Sequence, residues 1–236
     1  MKLERVEGVI FDLDETLIDA QQGLLAAHNR VTDTLKEFLL QKGAKVNREE
    51  LLVDVQKFDD KMNRELRYDR DSWWPQLVKQ ISPRVKLTRN LIARLTNEYW
   101  DTYETAAVPY PDTIETLLYL TQEEYCLGLV SDTDGEVGHK AERIGRLDFR
   151  ELFDVCIVSG DETAELKSSG VPFLLAADRM SVPPKACVVV GDKPFADVVG
   201  GKKAGMITVL IVRRRWNTDI EADYEFTSLT EIRTIL

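Results

Sequence analysis

The sequence predicts an α/β protein, a Rossmann-like parallel sheet with helices on both faces, interrupted after its first strand by a small α-helical domain. Three observations predict it. Short runs rich in Val, Ile and Leu, bounded by turn residues, recur at 9–11, 125–131, 155–159, 186–191 and 206–212. Strands apolar on both faces belong to sheets that are covered on both sides. Helical stretches, notably 113–120 and 171–180, separate the later runs, and that alternation builds right-handed crossovers between parallel strands. From Gly23 to about Tyr103 the pattern changes, with apolar residues at spacings of three and four, as in Leu35, Phe38 and Leu39 or Leu91, Ile92, Leu95 and Tyr99; this is the helical period.

The first strand, Val9-Ile10-Phe11, stops at Asp12-Leu13-Asp14-Glu15-Thr16-Leu17. Alternation sends Asp12 and Asp14 the same way if the strand continues, with Leu13 turned into the core. Two carboxylates at short range need a cation between them or a shared proton; the plainer alternative is a strand-to-turn junction, where Asp is favoured. In the helical block, Lys42-Gly43-Ala44, Trp74-Pro75 and Ser82-Pro83 mark breaks between several helices. The domain assignment is therefore a discontinuous core of 1–17 and 106–236 and a helical domain of 18–105, expected to overhang Asp12 and Asp14.

Composition excludes several classes. With 44% hydrophobic and 31% charged residues among 236, the chain reads as soluble and globular, and no apolar stretch is long enough to span a bilayer. The start, Met1-Lys2-Leu3-Glu4-Arg5, lacks a secretory signal, so a cytoplasmic location is expected. A net charge of −10 opposes nonspecific nucleic-acid binding. Cys126, Cys156 and Cys187 lie inside strand-like runs without metal-type spacing, as small core residues in a reducing compartment.

Later strands end on polar residues. The run to Val130 ends at Ser131-Asp132, a hydroxyl able to donate to a phosphate oxygen or simply a cap or turn. Lys167 precedes a helix; beside carboxylates it is a fixed cation that neutralises an anionic substrate, and otherwise it is surface. Cys187-Val188-Val189-Val190-Gly191-Asp192 ends at an acid. Gly191 allows close backbone approach, Asp192 can ligate a hard cation with Asp12, and Asp197 can hold Lys167 or a metal-bound water. A small oxygen-only ligand set suits Mg²⁺.

In this order the residues resemble the haloacid dehalogenase superfamily, in its phosphatase branch with a helical cap inserted after the first motif. Asp12-Leu13-Asp14-Glu15-Thr16-Leu17 is similar to the first motif, Ser131 to the second, Lys167 to the third, and Gly191-Asp192 through Asp197 to the fourth. Tyr110-Pro111-Asp112-Thr113 and Gly200-Gly201-Lys202-Lys203-Ala204-Gly205 are family-like as well. Lys167 is followed by Ser168 where the family commonly has proline, and Lys193 offers a second cation beside Asp192. The resemblance implies a Mg²⁺-dependent phosphatase acting on a small phosphorylated metabolite. Asp12 would be the nucleophile that becomes an aspartyl-phosphate, and Asp14 the general acid and then base. Thr16 would orient Asp14, Ser131 and Lys167 would grip the phosphate, Asp12, Asp192 and the Asp14 backbone carbonyl would ligate the metal, and Asp197 would stand behind Asp192.

Asp14 favours phosphoryl transfer over dehalogenation, since the family's dehalogenases lack an acid there. A phosphomutase with the same core chemistry and a noncatalytic phosphoryl-ligand binding protein are the alternatives, with an oligomerisation module on the helical block as a further rival. A phosphonate hydrolase would need a Schiff-base lysine, and nothing singles out Lys36, Lys57 or Lys61. Arg64, Arg67, Tyr68, Arg70, Trp73 and Trp74 are candidates for contacting the leaving group. The plainer reading has the tryptophans packing helices and the arginines pairing with Asp69 and Asp71. His28 and His139 sit in no motif. Sugar phosphates, glycolate phosphate, glyceraldehyde phosphate and nucleotides all stay open as substrates.

Overall fold

The computed structural model describes Leu3 and residues 6–236. The reading of the amino-terminal start falls on Met1, Lys2, Glu4 and Arg5, which lie outside the described residues. In chain order the elements are β1 (Gly8–Phe11), β2 (Ile18–Asp19), α1 (Ala20–Gln41), α2 (Arg48–Arg64), α3 (Arg70–Ile81), α4 (Arg89–Ala106), β3 (Val108–Pro109), α5 (Thr113–Gln122), β4 (Cys126–Asp132), α6 (His139–Gly145), β5 (Val155–Ser159), α7 (Val171–Met180), β6 (Cys187–Gly191), α8 (Val199–Lys203), β7 (Ile207–Ile211) and β8 (Tyr224–Phe226). The chain divides into a core unit, up to Asp19 and from Val108 on, and a helical unit, Ala20–Ala107.

The core unit is a six-stranded sheet in the order β5-β4-β1-β6-β7-β8, parallel throughout. β1 is central because Val9, Ile10 and Phe11 are wholly buried, which only an interior strand covered on both faces provides. The chain steps from β1 to one side for β4 and β5 and to the other for β6, β7 and β8, so β1 lies at the reversal of strand order, outside whose carboxyl ends ligands bind in such sheets. Phe11 stands opposite Leu129 of β4 and Val190 of β6. Asp12, Ser131 and Asp192 therefore emerge along one edge. On one face Phe173, Ala176, Ala177 and Met180 of α7 cover Ile10, Val130, Ile157 and Val189.

In the helical unit, α1 to α4 close on a core that includes Leu35, Phe58, Trp73, Trp74, Leu95 and Tyr99. The helices begin where the chemistry of capping puts them. Asn47 accepts from the backbone N–H groups of Glu49 and Glu50 at 2.8 and 3.0 Å, Asp69 from Ser72, and Thr88 from Leu91.

The breaks expected at Lys42-Gly43-Ala44 and Ser82-Pro83 separate α1 from α2 and end α3, but Trp74-Pro75 lies inside α3. Burial of Trp73, Trp74, Leu77 and Val78 outweighs the backbone hydrogen bond that Pro75 cannot donate. β8 adds a sixth strand beyond the five read from the sequence, and a two-residue ladder pairs Ile18 with Pro109 and Asp19 with Val108. The three cysteines are free thiols on β4, β5 and β6. Burial pushes those of Cys156 and Cys187 up to about 11. No helix among the described residues is long and apolar enough to cross a membrane.

Candidate active site

Asp12 follows β1, its backbone N–H still donating to Val190 at 2.9 Å. Its carboxylate is buried and held at both oxygens. The Lys167 ammonium donates to Oδ1, and the Thr16 hydroxyl donates to Oδ2 at 3.1 Å. Thr16 thus fixes Asp12 rather than Asp14, the partner expected from the sequence. The reason is local: the chain turns back on itself, with the Thr16 and Leu17 N–H groups donating to the Leu13 carbonyl, and this brings the hydroxyl under Asp12.

Lys167 is wholly buried and bridges Asp12 to Asp197, whose Oδ1 lies 2.7 Å from its ammonium. Burial pulls the ammonium down, but Asp12, Asp197 and Asp132 more than offset this and hold it well above the usual lysine range. Asp132, which the sequence presented only as part of a turn, supports it by accepting from the Lys167 backbone N–H at 3.0 Å and from the Ser159 hydroxyl.

Asp197 comes from a π-helical turn, Pro194–Val198, and accepts from the Lys193 backbone N–H at 2.9 Å. A Cβ on Gly191 would overlap the Asp197 carboxylate, and one on Gly200 would overlap the Lys167 carbonyl. Both positions need glycine for close approach.

Asp192 is buried with neither carboxylate oxygen hydrogen-bonded among the described residues. Burial, then Asp12 and Asp197, push its carboxyl well above the usual range against the opposing pull of Lys193. Oxygens of Asp12, Asp192 and Asp197 lie within 4.8 Å of one another. A buried, unpartnered carboxylate beside two others is costly unless a cation lies among them. Lys193 is a second ammonium in this neighbourhood: burial lowers its pKa, but Asp192 and Asp12 raise it further, leaving it above the usual range. Ser131, also buried, is the last residue but one of β4, on the same edge of the sheet, its carbonyl accepting from the Ser159 hydroxyl at 3.3 Å.

Asp14 has a different set of partners. After it the backbone reverses through Glu15, at φ 67. Its Oδ2 is 2.5 Å from the Lys140 ammonium and its Oδ1 is 2.8 Å from the Arg143 guanidinium. Both cations also meet Asp134, at 2.8 and 2.9 Å, and His139 Nδ1 lies 2.9 Å from the same carboxylate. Burial pushes Asp14 up, yet Arg143 and Lys140 hold it well below the usual carboxylate range. Nothing local in the chain signals this cluster, except that Lys140 and Arg143 are three apart, the spacing of one helix face.

The leaving-group candidates of the helical unit are core residues in part. Trp73 and Trp74 are buried, their indole N–H groups donating to the Arg67 carbonyl and the Thr96 hydroxyl at 3.0 and 2.9 Å. Arg70 packs against the faces of Trp73, Tyr99 and Trp100 at 4.6, 4.2 and 4.0 Å from the ring centres. Tyr68 is buried. The expected pairing of the arginines with Asp69 and Asp71 is replaced by other contacts. Asp69 caps α3, Asp71 accepts from Thr96, Arg70 donates to Tyr99, and Arg67 reaches Glu65 and Gln76. His28 meets Asp59 at 2.8 Å, and Asp59 also accepts from the Tyr99 hydroxyl at 2.9 Å.

A central strand ending at a lysine-bound aspartate, with a second unpartnered aspartate on the neighbouring strand, defines a hydrolase of a known class. The family model of the haloacid dehalogenase-like hydrolases matches residues 6–205, and the chain belongs to that family. Among its relatives, the glyceraldehyde 3-phosphate phosphatase of Methanopyrus kandleri is 28% identical over 98% of this chain and 97% of its own. The phosphoglycolate phosphatase of Escherichia coli is 29% identical over 88% of this chain and 82% of its own. The crystal structure of a HAD phosphatase from Thermococcus onnurineus superposes with a TM-score of 0.64 at 28% identity, covering 97% of each chain.

Proposed function

We propose that this hydrolase is a Mg²⁺-dependent phosphatase of small phosphate monoesters, working through an aspartyl-phosphate on Asp12. The observation that carries the reading is Asp12 itself: a buried carboxylate with Lys167 on one oxygen, Thr16 on the other, and the unpartnered Asp192 beside it. The names of the relatives support the substrate class.

The donor set fits the metal. Asp192, with neither oxygen hydrogen-bonded, is the group that most calls for a cation, and Asp12 and the backbone carbonyl of Asp14 would hold Mg²⁺ with it, leaving Asp197 to Lys167 and the Lys193 N–H. When bound, the ion offsets charge on the phosphoryl oxygens. Asp12 attacks phosphorus in line, an Asp12 oxygen bonding to phosphorus as the ester P–O bond breaks. Lys167 and Ser131 hold the phosphoryl oxygens. Asp14, which first takes up a proton from solvent against the pull of Lys140 and Arg143, gives it to the departing alkoxide and then takes one from the water that cleaves the aspartyl-phosphate, so each turnover restores the proton it gave.

The test is phosphate release from a panel including glyceraldehyde 3-phosphate and phosphoglycolate, with and without Mg²⁺, for the wild type and Asp12→Asn. Turnover that requires both Mg²⁺ and Asp12 is the expected result. A folded protein that turns over no ester, or an Asp12→Asn variant as active as the wild type, overturns the reading.

A further inference from the structure

We infer that Lys140 and Arg143 are positioning residues for Asp14, fixing through their two ion pairs the direction in which the second aspartate meets the ester oxygen. The inference rests on the phosphatase reading and deepens it at one residue.

Three features of the cluster point this way. Each oxygen of Asp14 has its own cation, Lys140 on Oδ2 at 2.5 Å and Arg143 on Oδ1 at 2.8 Å, so the plane of the carboxylate is set as well as its place. Asp14 is not the only carboxylate that holds the two cations. Asp134 meets both of them at 2.8 and 2.9 Å and is itself braced by His139, which keeps them in register through any change at Asp14. The cluster is also asymmetric in access: the Asp14 side chain is 20% exposed, against 3–6% for Asp134, Lys140 and Arg143. Asp14 is thus the member open to reaction, and the other three form its buried seat. A purely structural cluster has no need of an open carboxylate at the end of the central strand.

The experiment compares kcat/KM for an alkyl phosphate, glycerol 1-phosphate, with that for p-nitrophenyl phosphate. This constant reports events up to release of the first alcohol. An alkoxide needs a proton to leave and p-nitrophenolate does not, so the alkyl-to-aryl ratio reads the delivery of that proton and cancels losses of fold or of phosphate binding. Loss of either cation also lets the Asp14 carboxyl rise towards its usual range, which favours giving a proton, so a fall in the ratio, expected to be about tenfold in Lys140→Met and Arg143→Met, reads the lost direction and not the lost charge. The ratio should fall further in Asp14→Asn, and Asp14→Asn/Arg143→Met should show no additional drop. Lys140→Arg and Arg143→Lys keep the charges and alter only the geometry; they cover the case in which a methionine variant fails to fold, and they are expected to lower the ratio as well. An unchanged or raised ratio in the folded variants, with the ratio collapsed in Asp14→Asn, overturns the inference alone. Absence of turnover in the wild type overturns the phosphatase reading instead.

Discussion

Asp197 holds Lys167 from behind, its Oδ1 2.7 Å from the ammonium whose other carboxylate partner is Asp12. The π-helical turn delivers Asp197 against the backbone at Gly191, where no side chain fits. The position of the cation is therefore set in part by a residue that is neither the proposed nucleophile nor a proposed metal ligand.

Gly191→Ala should expose this dependence. The new methyl group overlaps the Asp197 carboxylate and displaces it, leaving Lys167 with a poorer partner. A stability loss of about 3 kcal/mol, the scale of a broken buried ion pair, is expected in urea denaturation, together with a large fall in kcat. A variant as stable and active as the wild type would show that Asp197 is not needed where it sits.

Asp192 makes the opposite prediction. Its carboxylate is buried, unpartnered and beside like charges, so in metal-free protein it is a liability. Asp192→Asn should raise the melting temperature in EDTA by about 2–4 °C, the equivalent of roughly 1 kcal/mol in a chain of this size. It should also abolish the upward shift that Mg²⁺ gives the wild type. A Mg²⁺-induced shift that persists in the variant would place the ion elsewhere.

In the helical unit, Asp59 gives a dependence on pH. Burial pushes its carboxyl up, but His28, Arg70 and Tyr99 bring it down to about 2. A depressed native value means that the unfolded chain binds the proton more tightly. The contribution is complete above about 4 and is lost as pH falls towards 2, and at neutral pH it amounts to about 2 kcal/mol. Asp59→Asn should lose that much at pH 7, with the gap to the wild type narrowing below pH 4 in denaturant titrations. A gap independent of pH would mean that the loss is one of packing.

Much of the core was legible because its signals are local. Val-rich runs that stop at Asp12, Ser131 and Asp192 carry in a few residues both the strand and the polar end that the sheet gathers at one edge. Lys167 could be placed only by resemblance, since nothing near it in sequence shows that it will be buried. The partners of Asp14 were illegible. Lys140 and Arg143 sit on α6, a seven-residue helix with no apolar period to announce it, and they meet Asp14 across 126 and 129 positions. Pro75 misled for the reverse reason: a strong local signal for a break was overridden by burial of the tryptophans before it. Thr16 meets Asp12 rather than the expected Asp14 because the tight turn at Leu13, which decides which carboxylate the hydroxyl reaches, depends on a left-handed Glu15 that no pattern announces.

The short ladder joining Ile18 to Pro109 and Asp19 to Val108 brings together the two points at which the chain leaves and rejoins the core unit. For the sheet, the intervening stretch is a closed loop whose ends are already fastened. The entropy of closing such a loop grows only slowly with its length. The stretch between Ala20 and Ala107 can therefore change in sequence or length without rebuilding the strands that deliver Asp12, Ser131 and Asp192.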